Sequence, residues 1–183
     1  MISESILEGA LVRLRPMQPG DLPKFVEWLA DAEVRRWLAA VQEPPTLQDE
    51  IDWYESTRAK PDSVLWSIET LDGRLVGTIE LRLSPASRRA ELGIAVQDKS
   101  QWNKGYGTDA VKLALEYGFD DLELNRVELT TDAENVRGRR CYEKCGFVEE
   151  GVLRQHRFVE GRFGDTISMS VLHEEWRGGG QRI

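Results

Sequence analysis

The chain has 183 residues, enough for a domain that buries a core without disulfides or a structural metal. Its formal net charge of −8 argues against nucleic acid as a partner, because phosphates require a basic surface. No stretch reaches the roughly 20 apolar residues that cross a bilayer, and no signal peptide is recognisable, so no membrane partner and a cytoplasmic location are expected.

The N-terminal third predicts one strand followed by helices. Residues 11–15 alternate between apolar and charged and end at a proline, which indicates a strand. Apolar residues at helical spacing predict a helix after Asp21, a residue suited to cap it, and a shorter helical piece over 32–38. Thr46 stands at the start of a further helix that should run to about Arg58.

From residue 64 onward the apolar period becomes that of strands. Three strands follow one another, and Asp72-Gly73 predicts a hairpin turn between the first two, so the three should form an antiparallel meander. A polar stretch then leads to an amphipathic helix, followed by a strand, a second helix and a last hairpin. The predicted strands are 64–69, 75–83, 89–96, 127–130, 148–158 and 166–172, and the two helices contain 110–118 and 135–145.

This order of elements predicts an α+β fold with a mixed, mostly antiparallel twisted sheet and helices on both faces. A single domain is expected over 1–183, with its core at about 10–173 and a flexible tail at 177–183. Cys141 and Cys145 are one helical turn apart, where disulfide geometry is hard to reach. Together with the two histidines they match no zinc pattern, so two buried reduced thiols and no metal are expected.

A glycine-rich turn at 102–108 leads into the amphipathic helix. Gly105 and Gly107 would let the backbone approach a ligand, and the unpaired N–H groups of a helix start suit a pyrophosphate. The same pattern also occurs as a plain tight turn. The Gly-Lys-Ser/Thr of a Walker loop is missing, and a polar loop rather than a buried strand precedes Gly105, which disfavours a dinucleotide fold.

The strand before this turn contains a candidate reactive carboxylate. Alternation puts Glu91, Gly93 and Ala95 on one face, so that an acid stands at the end of a groove floored by small side chains. The plainer interpretation is a sheet face covered by a closely packed helix, with Glu91 in water.

The helix at 135–145 presents a third pattern. Asn135, Gly138 and Tyr142 lie on one helical face, where an amide, a gap and a phenol could hold an extended polar ligand. Alternatively, Asn135 is only the helix cap and Tyr142 is a partly buried core residue.

These patterns, in this order, resemble the GNAT acetyltransferase superfamily. Its acetyl-CoA motif is Arg/Gln-x-x-Gly-x-Gly/Ala, which Gly105 and Gly107 match, whereas Trp102 stands in the first position. The separation of Glu91 from Gly105 is similar to that in members whose catalytic glutamate lies on the fourth strand. A narrower resemblance, to the branch with ribosomal-protein N-terminal acetyltransferases and spermidine acetyltransferases, rests on Leu14-Arg15-Pro16, Asp21-Leu22, the run from Tyr142 to Gly151, and Asp165.

The resemblance implies a GNAT-like fold and direct attack of a primary amine on the thioester of acetyl-CoA in a ternary complex. Because an alkyl amine is mostly protonated at neutral pH, a base must take its proton. We expect Glu91 to be that base, with Glu80 as the reserve, and Tyr142 to protonate the thiolate. The expected acetyl-CoA contacts are Ile94, Ala95, Val96, Trp102, Asn103, Lys104, Gly105, Tyr106, Gly107, Thr108, Asn135, Gly138 and Arg140.

The acceptor amine is left open by the sequence. Its pocket should be built by the N-terminal helices and by the loops beyond Phe147. Tryptophans among carboxylates in those helices suit a cationic amine, but they also suit an amphipathic helix with one face in water. These residues are Trp28, Trp37, Trp53, Glu27, Asp31, Glu33, Asp49, Glu50, Asp52 and Glu55.

Several functions therefore remain compatible with the sequence. A peptide N-terminus, a polyamine and an amine antibiotic are all acceptable acceptors. The family branch also implies that a homodimer could form. The alternative function is a non-catalytic module that binds acetyl-CoA or a protein on the same scaffold.

Overall fold

The computed structural model describes residues 5–38, 41, 43–159 and 161–178. Its strands are β1 (Leu7–Glu8), β2 (Val12–Pro16), β3 (Ser63–Thr70), β4 (Leu75–Ser84), β5 (Arg89–Val96), β6 (Arg126–Asp132), β7 (Val148–Val159) and β8 (Arg162–Leu172). They form one eight-stranded sheet in the order β1-β2-β3-β4-β5-β6-β8-β7. Every neighbouring pair is antiparallel except β5 with β6, which confirms the predicted mixed, mostly antiparallel sheet.

Helices cover both faces of the sheet, as predicted. They are α1 (Leu22–Leu29), α2 (Ala32–Arg35), α3 (Leu47–Arg58), α4 (Tyr106–Glu116), α5 (Val136–Lys144) and α6 (His173–Arg177), and α4 continues into a π-helical turn, Tyr117–Asp121. None of the described helices is long and apolar enough to cross a membrane.

The larger core lies between the sheet and α4. Trp66 and Ile79 point to this face and are buried with Ala114 and Leu115 of the helix. The alternation of β3 and β4 sends the next residues to the opposite face, where Leu65 joins a smaller core with residues of α1 and α3. The sheet therefore separates α4 from the N-terminal helices.

The structure corrects the expected role of Asp21. This residue stands at the start of α1, but its side chain does not cap the helix. Its carboxylate accepts hydrogen bonds from both terminal nitrogens of Arg15, at 2.8 Å each, and from Ser67 Oγ at 2.7 Å. The predicted capping is wrong because a charged donor on β2 occupies the carboxylate, and this ion pair ties the start of α1 to the sheet.

Other differences concern short elements. The helical piece expected over 32–38 ends at Arg35, and β1 and α6 were not predicted, since two-residue strands and single helical turns have almost no periodicity. The proposed tail at 177–183 has only residues 177 and 178 in the described part of the chain. Glu160, at the predicted final turn, also lies outside it.

Candidate active site

The parallel strands β5 and β6 separate soon after they meet. They pair only through Arg89, Ala90 and Glu91 of β5, although β5 continues to Val96. β6 stays paired with β8 along its whole length. Among the described residues, the later half of β5 therefore has no strand partner on the β6 side, and the sheet opens there.

A cavity of about 1250 Å³ lies along this opening. Every site residue predicted from the sequence lines it, including both proposed catalytic residues and Glu80. We distinguish a glycine-rich wall, formed by 92–96, 102–108, 135–138 and 140–142, from an acidic wall. The acidic wall is formed by Glu80 and Glu91 with the part of the N-terminal helices that faces the cavity.

The glycine-rich wall contains the start of α4. Gly105 precedes the helix with φ +87°, a left-handed conformation that glycine adopts without steric cost, and no side chain caps the helix there. A Cβ at Gly107 would be 3.6 Å from Val96 Cγ2 and 3.7 Å from Cys141 Sγ, which is ordinary contact. The backbone N–H groups of the first turn are thus the polar groups that this helix start offers to the cavity.

Trp102 connects the two sides of the opening. Its indole N–H donates to the Val96 carbonyl oxygen at 2.6 Å, which fixes the ring against the end of β5. The guanidinium carbon of Arg137, in the first turn of α5, lies 3.6 Å from the centroid of the same ring. Burial lowers the pKa of Arg137, but the residue remains a cation over an aromatic face.

Asn135 and Gly138 form the cap of α5. The Asn135 side-chain oxygen accepts from the Gly138 N–H at 3.0 Å, and its amide nitrogen donates to Thr131 Oγ1 at 3.4 Å. A Cβ at Gly138 would be 2.6 Å from that amide nitrogen, so the cap requires glycine at this position. Both residues line the cavity, but their side chains are explained by helix capping.

Glu91 and Glu80 flank Arg82 on the acidic wall. Arg82 donates to Glu80 Oε2 at 2.8 Å and approaches Glu91 Oε1 at 3.0 Å. Glu80 is mostly buried, and its second oxygen accepts from Ser63 Oγ at 2.6 Å. Glu91 is about half exposed, and within the described residues its second oxygen has no partner, so Glu91 is the more available proton acceptor of the two.

Electrostatics hold Arg82 in its charged form. Burial opposes that charge, but the hydrogen bond to Glu91 and the charge of Glu80 outweigh it, so the pKa of Arg82 is raised. The two carboxylates are therefore arranged around a fixed positive charge.

Tyr142 faces the cavity from α5. It is 9% exposed, and its ring centroid lies 5.9 Å from that of Phe147 in an edge-on arrangement. Burial raises the pKa of Tyr142 well above its ordinary value, and the neighbouring thiols add to the shift. The phenol is thus protonated at neutral pH, as a proton donor must be, and the raised pKa makes it a weaker acid than a free tyrosine.

The two cysteines are free thiols, of which Cys141 belongs to the glycine-rich wall and Cys145 lies one helical turn behind it. Cys145 is buried, as predicted, whereas Cys141 is only partly buried. The Thr108 hydroxyl donates to Cys141 Sγ at 3.4 Å, and Cys145 Sγ donates to the Thr108 carbonyl oxygen at 3.5 Å. These contacts join α5 to the start of α4.

Only some of the tryptophans and acids of the N-terminal helices face the cavity, namely Trp37, Trp53, Asp49 and Glu50. The others have different partners. Glu27 pairs with Lys24, Asp31 and Glu33 pair with Lys99, Asp52 accepts from Gln48, Glu55 pairs with Arg58, and Trp28 packs on Phe25.

Comparison with known proteins identifies the family. A family model described as an acetyltransferase (GNAT) domain matches residues 12–148, most of the chain. The chain belongs to the GNAT acetyltransferases. With that membership and N-acetyltransferases among its relatives, the protein is an acetyl-CoA-dependent N-acetyltransferase, as the resemblance implied.

Three acetyltransferases are similar to this chain over most of its length. Spermidine N(1)-acetyltransferase of Escherichia coli (strain K12) is 31% identical over 90% of this chain and 88% of its own. A Bacillus subtilis (strain 168) protein named "Putative ribosomal N-acetyltransferase YdaF" is 30% identical over 91% of this chain and 94% of its own. The solved spermidine N-acetyltransferase from Vibrio cholerae, in complex with CoA and spermine, is 26% identical with a TM-score of 0.83, covering 91% of this chain and 98% of that one.

Three features of this acetyltransferase were not foreseen from its sequence. No local sequence signal marks Arg137 as a site residue, because nothing distinguishes it from the other arginines of α5. Arg82 pairs with Glu91 across β4 and β5, so pairing the predicted strands of the meander residue by residue indicates Arg82 as a neighbour of Glu91. The sequence does not distinguish Glu50 from the other acids of α3, because its burial depends on how that helix packs.

Proposed function

We propose that this acetyltransferase transfers the acetyl group of acetyl-CoA to a primary amine by direct attack, with Glu91 as base and Tyr142 as acid. The observation that supports this most is the opening of β5 from β6 beside an uncapped, glycine-preceded helix. This opening continues into a cavity with carboxylates on one side and a protonated phenol on the other.

The glycine-rich wall fits acetyl-CoA. An extended amide chain can pair with the open edge of β5, and a pyrophosphate can accept from the first N–H groups of α4 without meeting a side chain at Gly105 or Gly107. Arg137, Lys104 and Arg140 line the same wall and provide cations for phosphates. We infer that Ile94 to Val96 hold the acetyl end, where a backbone N–H would polarise the carbonyl.

In the proposed reaction, Glu91 takes a proton from the acceptor ammonium, and the amine nitrogen then bonds to the acetyl carbonyl carbon. The carbon–sulfur bond breaks, and the Tyr142 hydroxyl gives its proton to the departing sulfur. The surplus proton on the new amide nitrogen then passes through water to the Tyr142 oxygen, and Glu91 releases its proton to the solvent. Glu91 is preferred to Glu80 because both oxygens of Glu80 already accept hydrogen bonds. Arg82 would position Glu91 at the cavity.

The proposed acceptor is a protein or peptide N-terminus or a small cationic amine such as a polyamine. Relatives named for ribosomal and spermidine acetylation support both classes. The carboxylates of the acidic wall and the net charge of −8 also favour a cation. A homodimer stays a prediction.

Thiol release from acetyl-CoA tests the proposal. Purified protein is assayed with polyamines, N-terminal peptides and aminoglycosides, and acetyl-CoA binding is measured separately. We expect turnover with one class of amine. Acetyl-CoA binding without turnover on any amine would instead favour the non-catalytic module, and loss of acetyl-CoA binding would contradict the cofactor site.

A further inference from the structure

Glu50 is a buried carboxylate on the acidic wall. It lies in the first turn of α3 and is 7% exposed, on the helix face that also buries Tyr54 and Thr57. It nevertheless lines the cavity. A residue in this position faces both the protein interior and the space where an acceptor would bind.

Within the described residues, the Glu50 carboxylate has no hydrogen bond or ion pair, whereas the neighbouring acids of α3 do. Asp49 accepts from the Thr46 N–H at 2.8 Å and from its hydroxyl at 2.6 Å, which completes the capping box. Asp52 accepts from Gln48, and Glu55 approaches Arg58 at 3.9 Å. Helix capping and surface pairing therefore explain the other three acids but not Glu50.

A carboxylate in this position is unfavourable for folding alone. Burial raises the pKa of Glu50, and the charge of Asp49 adds to the shift. An acid that is largely withdrawn from water and has no partner among the described residues lowers the stability of the folded chain, unless a ligand supplies a cation. An amide would fill the same space without the cost of a buried charge, and an apolar residue would also avoid the cost of a buried polar group.

The surroundings of Glu50 suit an alkylammonium group. Trp53, one turn later in α3, lines the cavity as well and offers an aromatic surface to a cation. Tyr54 shares a buried cluster with Leu65, and Leu65 pairs directly with Glu80 across β3 and β4. Arg82, two residues after Glu80 and on the same face of β4, pairs with the proposed base Glu91, so Glu50 is on the same side of the sheet as that base.

We propose that Glu50 binds a second ammonium group of the acceptor, so that the substrate is an aliphatic amine with at least two cationic nitrogens. This inference rests on the proposed function, in which Glu91 receives the reacting nitrogen. One end of such an amine lies at Glu91 and another charged nitrogen lies between Glu50 and Trp53. A monoamine leaves Glu50 without a partner and binds more weakly.

The test compares Glu50→Gln with Glu55→Gln, a matched change of an exposed acid on the same helix that does not line the cavity. Calorimetric titration with CoA present measures the Kd of spermidine and of butylamine for each protein. We expect Glu50→Gln to weaken spermidine binding tenfold or more, with butylamine unaffected and Glu55→Gln like the wild type. Equal spermidine Kd values in all three proteins, or no spermidine binding by the wild type at millimolar concentration, would overturn the inference.

A thermal melt tests whether a loss of spermidine binding in Glu50→Gln is caused only by a less stable fold. Because Glu50→Gln removes an unpaired buried charge, its Tm should equal or exceed that of the wild type while spermidine binding falls. A lower Tm with proportionate loss of butylamine binding would overturn the ligand role. Acetyl transfer is measured in parallel, so that failure of the proposed reaction is distinguished from failure of Glu50 as a binding residue.

Discussion

The glycine-rich wall is shaped by the backbone, whereas the acidic wall is shaped by side chains from separate elements. The first wall comes from three segments of the chain, and its features are an open strand edge, a left-handed glycine and a helix start. The second brings together Glu80 and Glu91 from the sheet and Glu50 from α3. Acetyl-CoA is proposed to bind at the first wall, and the acceptor amine at the second.

The difference is also electrostatic. Carboxylates dominate the wall proposed for the amine, while Lys104, Arg137 and Arg140 line the wall proposed for the phosphates. Substitutions on the two walls should therefore change different kinetic constants.

The largest effect is expected for Tyr142→Phe. Removing the phenolic hydroxyl should lower kcat by about 1000-fold, within the range of general acid–base catalysis, because the thiolate then leaves unprotonated. Acetyl-CoA affinity and Tm should change little. Steady-state kinetics and calorimetry measure this, with Tyr54→Phe as the control, since Tyr54 is buried but does not line the cavity. An unchanged kcat would remove Tyr142 from the mechanism.

Glu91→Gln should follow, with kcat/KM for the amine reduced about 100-fold at neutral pH, because the base is lost. Glu80→Gln is the matched control one strand away and should have a clearly smaller effect, since both Glu80 oxygens are held by Ser63 and Arg82. The kcat/KM of both variants is measured at several pH values. At high pH part of the amine is uncharged and needs no base, so the activity of Glu91→Gln should partly recover. A larger loss in Glu80→Gln would reverse the assignment.

The sequence predicted the glycine-rich wall better than the acidic wall, for physical reasons. Gly105, Gly107 and the N-cap Asn135 act through local backbone geometry, which neighbouring residues determine. The meander was predicted because alternation and the Asp72-Gly73 turn are local signals, and the capping box at Thr46 correctly marked the start of α3.

What the sequence could not predict depends on contacts between distant segments. The parallel pairing of β5 with β6 stops after Glu91, and no local pattern indicates where two strands part. Asp21 was assigned to capping because its partner Arg15 is on another element. Arg137 meets Trp102 only because α5 reaches the opening. The proposed acceptor pocket is also built from such contacts, so the sequence alone does not identify the acceptor.

Asp21→Asn should lower the stability of the N-terminal helices that contribute to the acidic wall, without affecting the glycine-rich wall. Losing the charge of Asp21 weakens its bond to Arg15, which keeps Glu69 as a partner, so we expect a loss of about 2 kcal/mol in unfolding free energy. The KM for the amine should rise, because α1 packs on α3, while acetyl-CoA affinity stays constant. Urea unfolding measures the loss, with the exposed Asp120→Asn as control.

The same variant has a defined pH dependence. Burial of Asp21 opposes its charge, but hydrogen bonds from Arg15, Gln18 and Ser67 outweigh this, so the pKa of Asp21 is lowered. A lowered pKa adds stability above the unfolded value near 3.9, and that stability disappears as the pH falls through the folded value. The difference between wild type and Asp21→Asn should thus be constant at neutral pH and shrink below about pH 4. A difference that grows in acid would contradict this assignment.

The smallest effect is expected for Arg137→Ala on the glycine-rich wall. Arg137 stacks on Trp102, and we expect its loss to raise the Kd of acetyl-CoA about fivefold, or about 1 kcal/mol, with kcat unchanged. Arg139→Ala is the matched control, because Arg139 pairs with Glu149 and does not line the cavity. If the Arg137 guanidinium binds the phosphates of acetyl-CoA, the difference in Kd between the two variants should become smaller at high salt. It should disappear for acetyl-pantetheine, a truncated thioester without those phosphates. A difference that persists with acetyl-pantetheine would mean that Arg137 only supports the Trp102 ring, and that the wall binds phosphate through its backbone N–H groups alone.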